Sequence, residues 1–293
     1  VYQMAVVTDD YDMGITHVIR GEDHISNTPR QILIQEALGI ERPVYAHIPL
    51  ILASDRSKLS KRKGAVSVTK YREMGFLSVV IDNYIALLGW NPGTEQEIFS
   101  LADLIDNFSL EQIHKGGAVF DMEKLKWVQK EHRKLQDRDD IRSEITESLV
   151  GHEGILDALS RSEKVLDDIL ERYALRADLV QAVEEGEYSF YEERPECTTE
   201  GLTWKKDSDP ATVPDRLAKL HELLSDVDEE NFVYDVVKEA VWDYADEVGK
   251  GDVLWPMRVA LSGKDRSPDP ILLAEALGKE ETLVRIKNAQ ALY

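Results

Sequence analysis

The first part of the chain alternates between short apolar runs and polar or glycine residues that interrupt them. This pattern predicts strands over 1–8, 16–20 and 44–53, and a helix over 28–39. The helix is indicated by Thr28 as N-cap, Pro29 at the first helical position and Gly39 as the stop. A strand, a helix and another strand in this order predict a βαβ unit in a parallel sheet.

The rest of the chain shows helical spacing. Ser100, Ser109 and Asp121 are predicted N-caps. Apolar residues recur at helical intervals over 79–88, 140–150, 163–184, 214–225, 229–248 and 268–291. The predicted fold class is therefore α/β followed by all-α, with domains over 1–65, 66–137 and 138–293 and a further boundary within the linker-like residues 195–213.

Composition limits the class of protein. A hydrophobic content of 43% in 293 residues is enough to bury a core and suggests two or three domains. The single cysteine, Cys197, excludes a disulfide within the chain, and no Cys/His cluster is present, so we expect neither structural zinc nor a bound cofactor. No apolar stretch approaches the roughly 20 residues that span a bilayer. We expect a cytoplasmic monomer without membrane contact.

Charge is unevenly distributed along the chain. Residues 1–138 hold 17 Lys+Arg and 19 Asp+Glu, whereas residues 139–293 hold 18 and 37, so the net charge of −21 divides into −2 and −19. An acidic exterior aids solubility and repels polyanions that bind without specificity. Any RNA contact in the second half therefore requires local basic patches.

The loop after the second predicted strand, Arg20-Gly-Glu-Asp-His24, combines an arginine with two carboxylates. An arginine at a strand end binds a carboxylate through two hydrogen bonds, and a carboxylate there accepts ribose hydroxyls in dinucleotide-binding folds. The same residues also fit a surface turn with an internal arginine–glutamate pair.

The most basic segment follows the third predicted strand. Five of the eight residues from Arg56 to Lys63 are cationic, and Gly64 comes next. Loops at the carboxyl ends of strands are the usual ligand sites of open α/β sheets, and cationic donors stabilise charge that develops in nucleotidyl transfer. The segment favours a nucleoside triphosphate or a nucleic acid backbone as partner, with a solvated charge run or a localisation signal as the alternatives.

These two loops, in this order, resemble those of bacterial-type glutamyl-tRNA synthetases, which are class I aminoacyl-tRNA synthetases. Lys58-Leu-Ser-Lys-Arg62 resembles the second signature of that family, the KMSKS-type loop, and the stretch from Val18 to Pro29 is similar to the one after its substrate-binding strand. Further similar stretches lie at 9–14, 120–127, 255–263 and 277–279. The resemblance runs through the chain and is most specific over 9–90 and 113–127.

The resemblance implies the second half of a Rossmann-like catalytic domain, then a mostly helical stem-contact domain and an α-helical anticodon-binding domain. It implies a glutamate–tRNA ligase that activates L-glutamate with ATP and transfers it to the 3′ end of its tRNA, with Mg2+ accompanying ATP as substrate. Matching positions imply glutamate binding by Tyr2 and Arg20, ATP binding by Asp23, Lys58, Ser60, Lys61 and Arg62, catalysis by Lys58 and Lys61, and tRNA contact by Lys124, Lys126, Trp127 and Lys130.

The chain also departs from the family pattern. The first signature, a His-containing ATP-binding motif, is absent, so we expect a fragment or the product of a split gene that is inactive in isolation. Gln129 stands where relatives usually carry Asn, and His132 where they often carry an aromatic residue. The alternatives are a glutaminyl-tRNA synthetase, which carries β-barrels for the anticodon, a glutamyl-queuosine-tRNA synthetase, which lacks an anticodon domain, and a non-catalytic tRNA-binding module.

Overall fold

The computed structural model describes residues 2–60, 67–207 and 209–293. The chain divides into two compact units, residues 1–134 (unit 1) and residues 135–293 (unit 2). Within the described ranges it forms two β-strands and seventeen α-helices, joined by turns and short 3₁₀ segments. Each unit is described by itself below.

Unit 1 contains both strands and six helices: α1 (Tyr2–Asp12), β1 (His17–Gly21), α2 (Thr28–Leu38), β2 (Val44–Ile48), α3 (Val68–Glu73), α4 (Ser78–Gly89), α5 (Leu101–Asn107) and α6 (Met122–Arg133). The strands pair in parallel, with Ile19 opposite Ala46. Gly39 ends α2 with a φ of 68°, a left-handed conformation that glycine adopts without strain. The predicted βαβ unit is confirmed, although Asn27 and not Thr28 holds the N-cap position.

The strand predicted over residues 1–8 is wrong, because these residues belong to the helix α1. Low exposure recurs along it at Gln3, Val7 and Asp10, which is helical spacing, whereas a strand buries alternate residues. The adjacent valines favoured a strand because β-branched residues pack well in sheets. Tyr2, expected just before a hairpin, therefore begins a helix instead, and it is 57% exposed.

Two of the four predicted N-caps in unit 1 are confirmed. Ser100 accepts a hydrogen bond from the Asp103 amide in a capping box at the start of α5, and Asp121 accepts from the amides of Glu123 and Lys124 at the start of α6. Ser109 precedes only a 3₁₀ turn and makes no side-chain capping bond. Its hydroxyl donates to the Glu111 carboxylate instead, at 2.7 Å.

Unit 2 is helical throughout its described residues, which contain no β-strand. Its helices are α7 (Arg138–Ser148), α8 (Glu153–Arg161), α9 (Glu163–Arg172), α10 (Arg176–Glu184), α11 (Ser189–Glu192), α12 (Thr199–Leu202), α13 (Val213–Ser225), α14 (Tyr234–Val248), α15 (Lys250–Ser262), α16 (Pro270–Leu277) and α17 (Lys279–Gln290). One cluster of buried apolar side chains runs from Ile141 to Ala289. The single helix predicted over 163–184 is two helices, because Tyr173 and Leu175 adopt extended backbone between α9 and α10.

The segment 195–213 packs against α15. Leu202 is fully buried, the Trp255 indole donates to the Gly201 carbonyl at 2.9 Å, and a Cβ on Gly251 would lie 2.3 Å from the Trp204 ring. The domain limits at 65/66 and 137/138 and the boundary within this segment remain predictions.

Candidate functional site

The carboxyl ends of the two strands lie side by side, because Gly21 of β1 pairs with Ile48 of β2 in parallel register. A 3₁₀ turn over Glu22–His24 follows β1 directly. Parallel strands thus bring the loop of residues 20–24 and the segment after β2 to one edge, which is the ligand-binding edge of open α/β sheets. This is the arrangement that the sequence predicted for the two loops.

An ion pair joins these two loops. Lys58 Nζ lies 2.6 Å from Asp23 Oδ2, and the two side chains are 58% and 38% exposed. The backbone of Lys58 is held by an antiparallel bridge to Leu52. A Cβ on Gly21 would lie 2.6 Å from Asp23 Oδ1, so a side chain at this position would displace the Asp23 carboxylate. The structure therefore brings together two residues predicted to bind ATP that are 35 positions apart.

The contact with Lys58 favours the charged form of Asp23. The hydrogen bond from Lys58 is the main cause that lowers the pKa of the Asp23 carboxyl below its usual value. Asp23 therefore stays ionised to a lower pH than a free aspartate. Because the pair is exposed to solvent, Lys58 is able to exchange the carboxylate for a phosphate oxygen at little cost.

Arg20 lies on the sheet face that α2 covers. Its NH2 donates to Thr28 Oγ1 and to Gln31 Oε1, both at 2.7 Å, and its Nε lies 3.5 Å from His47 Nε2. Its guanidinium also lies 5.3 Å from the centre of the Tyr45 ring. None of these partners is a carboxylate, so they fix the orientation of the guanidinium without neutralising its charge.

Gln31 adds a second donor at this site, and the sequence analysis missed it. Its side chain is 1% exposed, and its Nε2 has no hydrogen-bond partner among the described residues. Because its Oε1 accepts from Arg20, the Nε2 group is left as a donor beside a cation. The available signal was the spacing of Thr28 and Gln31, which lie three positions apart on one face of α2. A guanidinium and an amide donor together suit a carboxylate ligand.

A cavity of about 270 Å³ opens beside the strand ends, on the side of the sheet that carries Ile19. Its lining combines apolar side chains with Glu22, His114 and Lys115. Sequence reasoning did not single out His114 or Lys115. An apolar wall with a few charged groups is the usual composition of a small-molecule site.

The other predicted site residues are less well defined. Ser60 is described and exposed, while Lys61, Arg62 and Gly64 lie outside the described residues. Tyr2 lies at the start of α1, and its predicted contact with glutamate remains a prediction.

Two of the predicted tRNA-contact residues share one face of α6. Lys124 Nζ lies 4.2 Å from the centre of the Trp127 ring and 2.6 Å from Glu97 Oε2. The Trp127 side chain is 37% exposed, so part of its ring is open to solvent. Lys126 and Lys130 lie on the same helix and are partly exposed. The helix therefore presents cations and an aromatic ring together, which is the composition of single-stranded or loop RNA contacts.

The opposite face of α6 is used for packing. Gln129 accepts from the Leu77 amide at 3.1 Å, and His132 Nε2 hydrogen-bonds Asn83 Oδ1 at 2.8 Å. Burial lowers the pKa of His132, so the ring is neutral at neutral pH. The two departures from the family pattern are therefore buried residues that hold α6 in place.

Unit 2 contains two partly buried cations that sequence reasoning did not identify. Lys264 donates to the carbonyls of Gly186 and Glu187, and Arg258 donates to the carbonyls of Ser267 and Pro268. Burial lowers the pKa of Arg258, while Asp269 opposes this and Arg172 adds to it. Arg172 itself is paired with Asp168 and Glu187, so its charge is already offset by carboxylates.

The described residues contain neither a candidate metal site nor a candidate membrane-spanning helix. No group of three or more His, Cys, Asp or Glu side chains is arranged to hold a metal ion in the described part of the chain. Among the helices of residues 2–60, 67–207 and 209–293, none combines the length and apolar character needed to cross a bilayer.

Comparison with known proteins gives two family matches. Residues 1–127 match the catalytic domain of class I tRNA synthetases (E and Q), and residues 122–290 match an anticodon binding domain. The "Glutamate--tRNA ligase" of Chloroherpeton thalassium is 40% identical over 301 residues, covering 98% of this chain and 58% of that protein. The protein of the same description from Carboxydothermus hydrogenoformans is 40% identical over 294 residues, with coverages of 98% and 59%. The chain thus spans a little under three fifths of the length of these relatives.

A solved structure is similar over nearly the whole chain. The crystal structure of a glutamate tRNA ligase from Elizabethkingia meningosepticum, in complex with its amino acid, superposes with a TM-score of 0.74 at 31% identity and covers 99% of this chain and 60% of its own. The predicted resemblance, and the predicted order of an α/β part before a helical anticodon-binding part, are confirmed. The chain therefore joins a segment of the catalytic domain family of class I tRNA synthetases (E and Q), over residues 1–127, to a member of the anticodon binding domain family, over residues 122–290.

Proposed function

We propose that the protein carrying this chain is a glutamate–tRNA ligase, which forms glutamyl-adenylate from L-glutamate and ATP and transfers glutamate to the 3′ end of its tRNA. The observation that carries the proposal is the ion pair between Lys58 and Asp23, which joins the two signature-bearing loops at the edge where the strands end. The names of the relatives support the same reaction.

The amino acid site is proposed at Arg20. Its guanidinium is oriented by Thr28, Gln31 and His47, and with the free Nε2 of Gln31 it offers several N–H donors to a carboxylate. A carboxamide would present its own NH2 group to these donors, so the site is expected to reject glutamine in favour of glutamate. Tyr2 is proposed to contact the same substrate.

ATP, with Mg2+ as part of the substrate, is proposed to bind at the edge defined by Asp23 and Lys58. Asp23 would accept hydrogen bonds from the nucleotide, and Lys58, Ser60, Lys61 and Arg62 would bind the triphosphate. The chemistry needs no covalent protein intermediate, because the glutamate carboxylate attacks the α-phosphate and pyrophosphate leaves. Cationic donors stabilise the charge that develops on the phosphate oxygens.

Two surfaces are proposed to contact tRNA. In unit 1 the contact is formed by Lys124, Lys126, Trp127 and Lys130 of α6, where a stacked lysine and indole offer both a cation and a ring face. In unit 2 the candidates are Arg258 and Lys264, whose side chains donate to backbone carbonyls. We propose that these two residues contact the anticodon arm.

The alternatives are distinguished by substrate. A glutaminyl enzyme of the β-barrel type is disfavoured because the described residues of 139–293 are helical and match an anticodon binding domain. The glutamyl-queuosine enzyme is disfavoured by the presence of that domain. A non-catalytic tRNA-binding module remains the alternative for the isolated chain.

The test is ATP–pyrophosphate exchange by the full polypeptide that carries this sequence, with L-glutamate and L-glutamine in separate reactions. Exchange with glutamate alone supports the proposal. Exchange with glutamine alone contradicts the assignment of the amino acid. Binding of tRNA without exchange in either reaction favours the non-catalytic module.

A further inference from the structure

The segment between α4 and α5 places a carboxylate on the proposed RNA face of α6. Glu97 Oε2 lies 2.6 Å from Lys124 Nζ, and the two side chains are 45% and 35% exposed. The same ammonium lies 4.2 Å from the centre of the Trp127 ring. Lys124 is therefore held between a carboxylate and an indole.

The position of Glu97 is fixed by a buried amide. Asn83 is fully buried on α4, and its Nδ2 donates to the Glu97 carbonyl at 3.0 Å. Its Oδ1 accepts from the Phe99 amide at 2.9 Å. One side chain thus binds the backbone on both sides of residue 98, and buried, satisfied hydrogen bonds of this kind hold a loop in a single conformation.

The helix that carries Lys124 is attached to the same amide. His132 of α6 hydrogen-bonds Asn83 Oδ1 at 2.8 Å, and the His132 ring is 6% exposed. Lys124 and His132 lie two turns apart on one helix. The backbone at Glu97 and the helix that carries Lys124 are therefore both attached to Asn83. This arrangement keeps the two side chains within reach of each other.

We propose that Glu97 is a built-in competitor of the RNA backbone for Lys124. Its carboxylate stands in for a phosphate oxygen in the free protein, and a tRNA phosphate displaces it when the complex forms. This inference rests on the proposed tRNA contact by α6 and adds a residue that the proposed function does not include. Lys124 is already paired with Glu97, so a polyanion has to displace this carboxylate before it can bind Lys124. Lys124 therefore discriminates against polyanions that make only one weak contact at this position.

Displacement of Glu97 by a phosphate affects how strongly the affinity for tRNA depends on salt concentration. A free lysine that neutralises a phosphate releases condensed counterions. Each such contact therefore makes the fall of log affinity with log salt concentration steeper. In the wild-type protein Lys124 exchanges one anion for another, so the contact contributes little to the slope. Without the Glu97 charge, the same contact contributes fully.

The experiment compares the chain with its Glu97→Gln variant, using an unmodified transcript of a glutamate-accepting tRNA as probe and fluorescence anisotropy between about 50 and 200 mM KCl, the range over which such slopes are resolved. We expect Glu97→Gln to bind about two- to fivefold more tightly at the lowest salt, which is the range that an exposed ion pair spans. We expect the slope of log affinity against log salt to steepen by about one unit. Both effects should disappear when Lys124→Ala is added.

Glu73→Gln is the matched control, because it removes the same charge from an exposed Lys–Glu pair of unit 1, formed with Lys70 at 3.3 Å. It should leave the salt slope unchanged, and thermal unfolding should show that all variants are folded. Weaker binding by Glu97→Gln, or an affinity and slope equal to wild type while Lys124→Ala weakens binding, would overturn the competitor role. If Lys124→Ala and Trp127→Ala both bind like wild type, the proposed tRNA contact by α6 is itself wrong.

Discussion

The two units of this protein differ in where they carry charge. Residues 1–134 hold 16 Lys+Arg and 18 Asp+Glu, while residues 135–293 hold 19 and 38. The near-neutral unit contains the proposed glutamate and ATP residues, and the acidic unit matches the anticodon binding domain over most of its length. A balanced unit is able to concentrate cations at one sheet edge, whereas in the acidic unit a cation such as Arg172 is already paired with the carboxylates of Asp168 and Glu187.

They differ as well in how completely they bury apolar side chains. Within residues 2–60 the buried hydrophobic residues are Val7 and Ala53, whereas Ile19 and Val44 of the strand pair are 48% and 59% exposed. Unit 2 buries one continuous apolar cluster. Parallel strands normally have both faces covered. Unit 2 therefore buries a core of its own within this chain, while the strand pair of unit 1 leaves apolar side chains uncovered.

The largest expected effect is the loss of stability when the buried ion pair of unit 2 is broken. Arg216 NH1 lies 2.7 Å from Asp207 Oδ2, and these side chains are 4% and 1% exposed. Arg216→Ala leaves a buried carboxylate without its partner, which typically costs about 3–5 kcal/mol. Urea unfolding followed by far-UV circular dichroism should show a destabilised helical transition.

The control for that variant is Arg138→Ala, which removes an exposed partner of Glu163 and Asp167. Exposed pairs contribute between about 0 and 1 kcal/mol. Equal destabilisation by Arg216→Ala and Arg138→Ala would contradict the assignment of unit 2 stability to its interior.

Salt concentration should affect the stability of the two units to different extents. Raising the KCl concentration from about 0.01 to 1 M shortens the screening length from about 30 to 3 Å, which weakens repulsion among exposed carboxylates. We expect the unfolding midpoint of unit 2 to rise more than that of unit 1, because unit 2 has the larger excess of negative charge. Hydrogen exchange of α14 and α4 amides at both salt concentrations measures the difference. A larger gain in unit 1 would refute the comparison.

A smaller effect is expected on the stability of unit 1 when the pH is lowered. Burial lowers the pKa of His132 below its ordinary value of 6.5 in the folded state, so the unfolded state binds more protons as the pH falls. The stability contributed by the neutral ring is present above about pH 6.5 and is lost as the pH falls through the folded pKa. Unfolding of unit 1 at pH 7.5 and 5.5 should show this loss in the wild type. His132→Gln should flatten it, and an unchanged pH dependence would rule out His132 as the cause.

The smallest expected effect is local. Lys58→Met removes the hydrogen bond that lowers the pKa of Asp23, so this pKa should rise towards its ordinary value without a change in stability. Titration of the Asp23 carboxyl carbon by NMR measures the shift. An unchanged pKa would mean that the two loops are not in contact in solution.

The sequence predicted the βαβ unit because its signals are local. Pro29 and Gly39 restrict backbone angles at the two ends of α2, so they mark the helix whatever surrounds it. α1 was missed because the choice between strand and helix for a short apolar run depends on which side chains face a neighbour. The break between α9 and α10 was missed for the same reason, since no proline or glycine lies at Tyr173 to Leu175.

Only part of the site could be predicted. Arg20, Asp23 and Lys58 were predicted because charged residues in two recognisable loops resemble a family signature. Gln31 was not found, because its spacing from Thr28 indicates a shared helix face but does not show which residue its amide contacts. Glu97 was missed because its contact with Lys124 joins residues 27 positions apart through the packing of α4 against α6.

The most direct test is the steady-state kinetics of ATP–pyrophosphate exchange by the full polypeptide, with Arg20→Ala and Lys58→Ala compared with wild type. We expect Arg20→Ala to raise the KM for glutamate by at least about tenfold, the cost of losing a charge-assisted hydrogen bond, with little change in the KM for ATP. Lys58→Ala should instead impair the use of ATP. Equal effects of each variant on both substrates would contradict the proposed division of the strand edge into a glutamate site and an ATP site.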